Sequence, residues 1–144
     1  MADPAPGAIF ATILGPDDAD LLVRASSLFD NPVRRPWAEK FLQSENNHLA
    51  LATVAGVPVG FASGITYVHP DKPAELWINE VGVDGDYRRR GIGKAVVACL
   101  CRHAKSLGAA KAWVFTDAEN FSARGLYGSL DGVESETVMV TIPL

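Results

Sequence analysis

Val83-Asp84-Gly85-Asp86-Tyr87-Arg88-Arg89-Arg90-Gly91-Ile92-Gly93-Lys94 is the segment on which the interpretation of this chain turns. Before it, Glu75 to Val83 is a β-rich run, interrupted by Gly82 and stopped by Asp84-Gly85. After it, Ile92, Ala95, Val96, Cys99, Leu100 and Leu107 keep a helical spacing, and Gly108 stands where a C-terminal cap belongs. A strand therefore passes through a glycine- and arginine-rich loop straight into a helix N-terminus. Gly91 and Gly93 let backbone approach a ligand, and the first helical N–H groups are unpaired donors. The arginines add charge at the end that the helix dipole already makes positive. Together these features describe a cradle for a phosphate or pyrophosphate. A glycine-assisted turn with a solvated basic cluster is the plainer alternative, and the flanking strand and helix weigh against it.

Downstream, Lys111 to Thr116 is another strand, so strand, helix and strand form a βαβ unit with parallel neighbours and a right-handed crossover. A helix over roughly Phe121 to Leu130, with Asn120 or Ser122 near its start, leads to a last strand within Val133 to Ile142. Upstream, His48 to Val54 and Val59 to Tyr67 form a hairpin across Ala55-Gly56-Val57-Pro58. Earlier still come a strand over Ile9 to Leu14, a helix with Leu21, Leu22, Ala25 and Leu28 on its apolar face, and a shorter helix from Trp37 to about Gln43. That second helix is expected to bury Trp37, Phe41 and Leu42. Residues 1–8 read as a disordered lead-in and 9–144 as one domain. The fold class is α+β (α/β), with a mixed, mostly antiparallel central sheet flanked by helices.

Composition sets limits on function. The chain has 144 residues, 48% hydrophobic and 21% charged, enough for one core without staples. A formal charge of −4 argues against a nucleic-acid-seeking surface and confines any anion site to a local patch. Cys99 and Cys101 lie two apart on a helical run, where side chains diverge, so no disulfide is expected. Cys99 and His103 share a helix face but lack a third ligand, so no metal is expected. Neither a leader nor a membrane span is legible, which makes a soluble, cytoplasmic protein the expectation.

The phosphate ligand is narrowed by elimination. A P-loop needs glycine at position 88 and Ser or Thr at 95, where Arg88 and Ala95 stand. A dinucleotide fingerprint needs a small residue at 96 and an acid about twenty residues on, where the chain has Val96 and Ala110-Lys111-Ala112. What is present is Arg88-x-x-Gly91-x-Gly93, followed by Asn120 and Ala123-Arg124-Gly125-Leu126-Tyr127. On these two motifs, in this order and with a strand between them, the chain resembles the GNAT superfamily of acyl-CoA-dependent N-acetyltransferases over about residues 48 to 142. Finer strings resemble its aminoglycoside 3-N-acetyltransferase branch: Glu75-Leu76-Trp77-Ile78-Asn79-Glu80-Val81-Gly82-Val83, Arg90-Gly91-Ile92-Gly93, Leu107-Gly108-Ala109 and Val138-Met139-Val140. The stretch Leu130-Asp131-Gly132-Val133 is one residue longer than the family's pattern.

The resemblance implies acetyl-CoA as co-substrate, with no metal. The backbone of Arg89, Arg90, Gly91, Ile92, Gly93 and Lys94 would hold its pyrophosphate, and Arg88 or Arg89 its outer phosphates. Val81 and Val83 would flank the pantetheine arm on a strand splayed from its parallel neighbour, with Gly82 suited to a bulge there. Asn120 would bond that arm or cap its helix. Glu80, eight positions before the motif arginine, is the candidate general base or an amine-docking charge, and Tyr127 the candidate general acid for the departing thiolate. Asp117 and Glu75 stand in reserve for Glu80, and Trp37, Trp77 and Trp113 read as structural, with Trp77 also able to line the acceptor cleft. The acceptor expected is a small cationic amine, an aminoglycoside being the sharpest form, which Asp117, Glu119, Glu134 and Glu136 would face. A protein or peptide amine, a non-catalytic acyl-CoA sensor and a structural module binding nothing are the alternatives. Members of the family often form homodimers, and no interface is legible here.

Overall fold

A computed structural model of the chain describes residues 7–144, so most of the expected lead-in lies outside the described residues. Five strands form one sheet in the order β1 (Ile9–Ile13), β2 (Asn47–Val54), β3 (Val57–Tyr67), β4 (Glu75–Val83) and β5 (Lys111–Val114). The first four are antiparallel and β5 joins β4 in parallel, a mixed sheet of the kind expected. The hairpin turn is tighter than the sequence suggests. Ala55 and Gly56 alone make it, both at positive φ (49° and 78°), the twist that matches two antiparallel strands.

The helices α1 (Ala19–Arg24) and α2 (Arg35–Gln43) cover one face of the sheet, and α3 (Ile92–Ser106) covers the other. Both faces of β2 and β3 are consequently buried, and residue size divides them. Toward α1 and α2 the strands present Leu49, Leu51 and Phe61; toward α3 they present Ala50, Ala52 and Ala62. Small residues let α3 lie close to the sheet. A Cβ at Gly60 would collide with the Ile92 side chain, and one at Gly64 would come within 2.6 Å of the Trp77 carbonyl oxygen and 2.9 Å of Leu76. Trp37 does not join the core. It is 68% exposed beside Arg34, whose guanidinium lies 5.2 Å from the ring centroid, while Ala38 and Leu42 make the buried face of α2. Helix α2 begins at Arg35, with Pro36 in its first turn, which rotates Trp37 outward.

The last helix, α4 (Phe121–Gly128), starts as expected at Asn120, whose Oδ1 accepts from the Ala123 N–H at 3.1 Å. The strand expected within Val133 to Ile142 is absent: residues 133–144 form neither helix nor strand and are exposed throughout. Strand pairing needs a backbone partner, and no backbone–backbone hydrogen bond joins this run to the rest of the described chain. No helix of the described residues is long and apolar enough to cross a membrane.

Candidate active site

The sheet opens where β4 outruns β5. The two strands pair from Glu75↔Lys111 to Ile78↔Val114, and β4 then continues to Val83 without β5 beside it. At the same point β4 carries a bulge: Ser63 opposes Glu80 and Gly64 opposes Ile78, leaving Asn79 as the extra residue. The bulge is therefore not at Gly82, the position the sequence suggests, which pairs in register with Phe61. What Gly82 supplies is space. A Cβ there would lie 2.7 Å from both the Leu28 carbonyl oxygen and the Phe61 ring.

The extra residue changes which face each side chain takes. Leu76 and Ile78 pack under α3, and strict alternation would send Glu80 there too. Beyond Asn79 it is Val81 and Val83 that pack on that side, so Glu80 emerges on the opposite face. It lines a cleft of about 430 Å³ with Leu28, Asp30, Phe61, Asn79, Val81, Gly82, Val83 and Arg88. Two expected members of the site, Glu80 and Arg88, thus share one cleft with the β4 backbone. Desolvation in the cleft raises the Glu80 pKa above the usual carboxylate range, and the nearby Asp30 charge adds to the rise.

Asp30 is a member of the cleft that no motif predicts. It sits in the loop after a 3-10 turn over Ser26–Leu28, remote in sequence from the loop before α3. The bulge does leave a sequence signal: the apolar alternation Leu76, Ile78 resumes out of phase at Val81, Val83.

From β4 the chain passes through a second 3-10 turn, Gly85–Tyr87, where Asp84 accepts from the Asp86 N–H at 2.9 Å. Arg89 (φ 63°) and Gly91 (φ 78°) then take left-handed conformations on either side of Arg90. Successive handedness changes of this kind gather N–H groups into an anion-binding concavity. Gly91 is the N-cap of α3 and gives it no side-chain cap, so the first N–H groups remain available for a ligand. Arg88, Arg89, Arg90 and Lys94 are arrayed around this end, with Arg90 over the Tyr87 ring, 4.9 Å from its centroid. Ile92 contributes backbone only, since its side chain is buried beneath β3. Gly93 admits α4: a Cβ would press on Leu126 at 3.3 Å.

That contact brings Tyr127 to the rim of the α3-side core, half-buried, with its phenol pKa raised by desolvation. Asn120 is engaged in capping α4, and Arg124 steadies the helix by holding Glu134 (2.7 and 2.8 Å) and donating to the Ala118 carbonyl at 2.8 Å. Of the reserve residues, Asp117 is exposed in the loop before α4, and Glu75 lies at the other end of β4, about 16 Å along the strand from Glu80. Glu75 is buried among His69 (2.7 Å), Lys111 (3.3 Å) and Lys72 (3.6 Å). Desolvation alone would raise its pKa, and Lys111, then Lys72 and His69, together hold it below the usual range. Trp77 stacks on Trp113 (centroids 5.6 Å apart), and Trp113 donates to the Tyr67 hydroxyl at 2.7 Å; neither tryptophan lines the cleft. Cys99 is buried, the His103 ring meets His48 edge-on at 4.9 Å, and no metal-binding cluster occurs among the described residues.

Known proteins share this fold. The chain is 35% identical over 98 residues (66% of this chain, 63% of the relative) to the [ribosomal protein bS18]-alanine N-acetyltransferase of Escherichia coli strain K12. It spans less than two thirds of the curated relatives it matches. Its fold is similar to that of an aminoglycoside acetyltransferase, meta-AAC0020, from an uncultured soil metagenomic sample, solved with sisomicin (TM-score 0.87, 18% identity, 94% and 96% of the two chains). It is also similar to aminoglycoside N-acetyltransferase AAC(6')-Iy, solved in complex with CoA (TM-score 0.80, 19% identity, 99% of each chain). The family model described as Acetyltransferase (GNAT) family matches residues 19–131, taking in α1 and α2 as well as both motifs, and the chain belongs to that family.

Proposed function

We propose that the protein transfers the acetyl group of acetyl-CoA to an amine by direct attack within a ternary complex. One observation carries this reading. The end of β4–β5 pairing and the Asn79 bulge open a gap that has Glu80 on one side and the uncapped start of α3 at its end. A long thioester co-substrate fits such a gap, with its phosphates at the N–H groups of Arg89 to Lys94 beside Arg88 and Arg89, and its arm along the unpaired β4 backbone at Val81 to Val83. Asn120, whose Oδ1 caps α4, keeps its side-chain NH2 free to bond that arm.

The residues then divide the chemistry. An alkylammonium has a pKa near 10.4, so a base is needed to expose its lone pair at neutral pH. Glu80 accepts that proton, directly or through water. The amine nitrogen attacks the thioester carbonyl, whose oxygen is stabilised by a β4 backbone N–H near Val81. The C–S bond breaks as the C–N bond forms, Tyr127 gives its hydroxyl proton to the departing sulfur, and the second proton lost by the acylated nitrogen returns to the Tyr127 oxygen. A phenol kept protonated by burial is suited to that step. The thiols of Cys99, buried, and Cys101, half-buried, both have raised pKa and are poor acyl-accepting nucleophiles.

For the acceptor, the relative matched over 98 residues favours a protein or peptide amine over the small-molecule reading. The opposing observation is the pairing of Asp30 with Glu80 in one cleft, which favours a polycation such as an aminoglycoside. Thiol release from acetyl-CoA, measured against peptides with free N-termini, lysine peptides, polyamines and aminoglycosides, separates them. A peptide-restricted turnover supports the first reading and an aminoglycoside-restricted one the second. Failure of acetyl-CoA to raise the melting temperature at all would refute the proposal.

A further inference from the structure

Beyond Glu80, the face of β4 and β5 that turns away from α3 is paved with aromatic rings. Leu76 and Ile78, on either side of Trp77, pack under α3, so the Trp77 ring stands on the same face as the Glu80 carboxylate. Trp113 pairs with Trp77 across the parallel ladder and stacks on it. Phe115 meets the Trp113 ring edge-on at 5.3 Å, and Tyr67, whose hydroxyl accepts from Trp113, does so at 6.3 Å. Neither tryptophan belongs to an apolar core among the described residues. The core under α1 and α2 takes Leu49, Leu51 and Phe61 from the sheet and nothing from β4 or β5. Both indoles are half-buried against their aromatic neighbours, and Phe115 is 45% exposed. A sheet face without a covering layer ordinarily carries polar side chains. Aromatic rings in that place, large, apolar and low in conformational freedom, are the material of a binding surface.

Charge fixes the direction in which a ligand lies on it. At the cleft end Asp30 and Glu80 stand together. At the other end Glu75 is already taken by His69, Lys111 and Lys72. An ammonium group is therefore drawn to Glu80, and whatever it is attached to runs from there over the rings. A polyamine or an amino sugar carries charges or hydroxyls along its whole length, which the rings would strip of water. A peptide instead gains from any large apolar side chain that reaches them.

Spacing decides which side chain that is. Ser63 opposes Glu80 and Ile65 opposes Trp77, so the two positions are two strand residues apart, about 7 Å along the sheet. An extended peptide covers about 7 Å in two residues as well. With its α-amine at Glu80, its third side chain reaches the rings, and the second, on the opposite side of an extended chain, does not.

We propose that the acceptor is a protein or peptide with a free N-terminus, extended along this face, and that Trp77, Trp113 and Phe115 select a large apolar side chain at its third residue. The inference rests on the acetyl transfer proposed above and specifies its acceptor.

Acetyl transfer by the wild-type protein to short peptides that differ only in Phe, Leu or Gly at the second, third or fourth position tests it. Phe or Leu at the third position should give a kcat/KM at least about tenfold above Gly, carried mainly by KM, with little dependence at the second. Phe115→Ala and Trp77→Leu should each shrink the third-position ratio toward one. Where a variant fails to fold, the wild-type protein still decides. In protein saturated with CoA, the peptide with Phe at its third position should shift the indole Nε1–H resonances of Trp77 and Trp113 and leave that of the exposed Trp37 in place, a readout that needs no turnover. Peptide turnover without a third-position preference would overturn the inference and leave the acetyl transfer standing. Turnover confined to polyamines or aminoglycosides, an absence of peptide binding, or binding that leaves the Trp77 and Trp113 resonances unmoved would overturn it too. The expected shifts without turnover of any acceptor would uphold the peptide site and refute the transfer.

Discussion

Glu80 owes its place to one inserted residue, and its proton affinity to the cleft around it and one charged neighbour. With Asn79 as the extra member of β4, the carboxylate leaves the core face and meets Asp30, whose charge adds to the desolvation that raises its pKa. The sign of the consequence is fixed. A base must be deprotonated to work, so kcat/KM should fall on the acid side through the raised Glu80 pKa, and Asp30→Asn should move that limb to lower pH. An unmoved limb would mean that Asp30 does not act on the group that titrates. Glu80→Gln is expected to lower kcat by on the order of 10²-fold or more while leaving acetyl-CoA affinity nearly unchanged. Tyr127→Phe should do likewise, and its alkaline limb should disappear, since the raised phenol pKa keeps the wild-type group protonated until well into the alkaline range. Equal weakening of acetyl-CoA binding in either variant would recast that residue as a binding group.

Between elements, the spaces left by glycine matter as much as the side chains. Gly82 lets the Phe61 ring and the turn ending at Leu28 lie against β4, and that turn delivers Asp30 to the cleft. Gly82→Ala forces those groups apart, and is expected to cost roughly 1–3 kcal/mol by overpacking. It should also raise KM for the amine, because the displaced turn carries Asp30. Urea midpoints together with KM for both substrates check this; a stability loss with both KM values unchanged would show that the turn does not shape the acceptor side. Gly93 does the equivalent for α4, admitting Leu126 and with it the adjacent Tyr127. Much of this level is legible in the sequence. Helix α3, the glycine loop that leads into it and the Asn120 cap follow from local rules of spacing and hydrogen bonding, and β4 from Glu75 to Val83 is bounded by its own turn residues. The bulge is easily misplaced because glycine is the usual mark of one, whereas here the phase of the apolar residues carries the information.

Across the whole molecule, one buried group couples stability to pH far from the cleft. His48 is a residue of β2 that faces α3, bonded to the Thr66 hydroxyl at 2.7 Å, and burial followed by the neighbouring His103 charge lowers its pKa to about 4. In the unfolded chain it binds a proton near pH 6.5. Acidification from about pH 6.5 to 4 therefore favours the unfolded state, by up to roughly 3 kcal/mol, and above pH 6.5 the effect vanishes. Denaturant titrations of the wild type and of His48→Gln should show the wild type losing more stability across that window. Parallel curves would place the acid sensitivity elsewhere. The charge balance of −4 also takes on a spatial meaning, since Arg88, Arg89, Arg90 and Lys94 gather at the start of α3 while Asp30 and Glu80 face the cleft.

The order of residues along the chain is enough to establish most of the elements, their succession, the parallel β4–β5 unit and the glycine- and arginine-rich loop that leads into α3. These rest on interactions between residues near each other in the chain, where periodicity, caps and turn chemistry act. Packing in three dimensions was required to place Glu80 in a cleft and to bring Asp30 to it. The same packing commits Glu75 to His69, Lys72 and Lys111 at the far end of its strand, and leaves Val133 to Ile142 without a strand partner in its own chain. Each of those outcomes depends on which surfaces meet once the sheet is covered. A carboxylate on an alternating strand is assigned to one face or the other by a single inserted residue, and a β-forming segment becomes a strand only when an edge is within its reach.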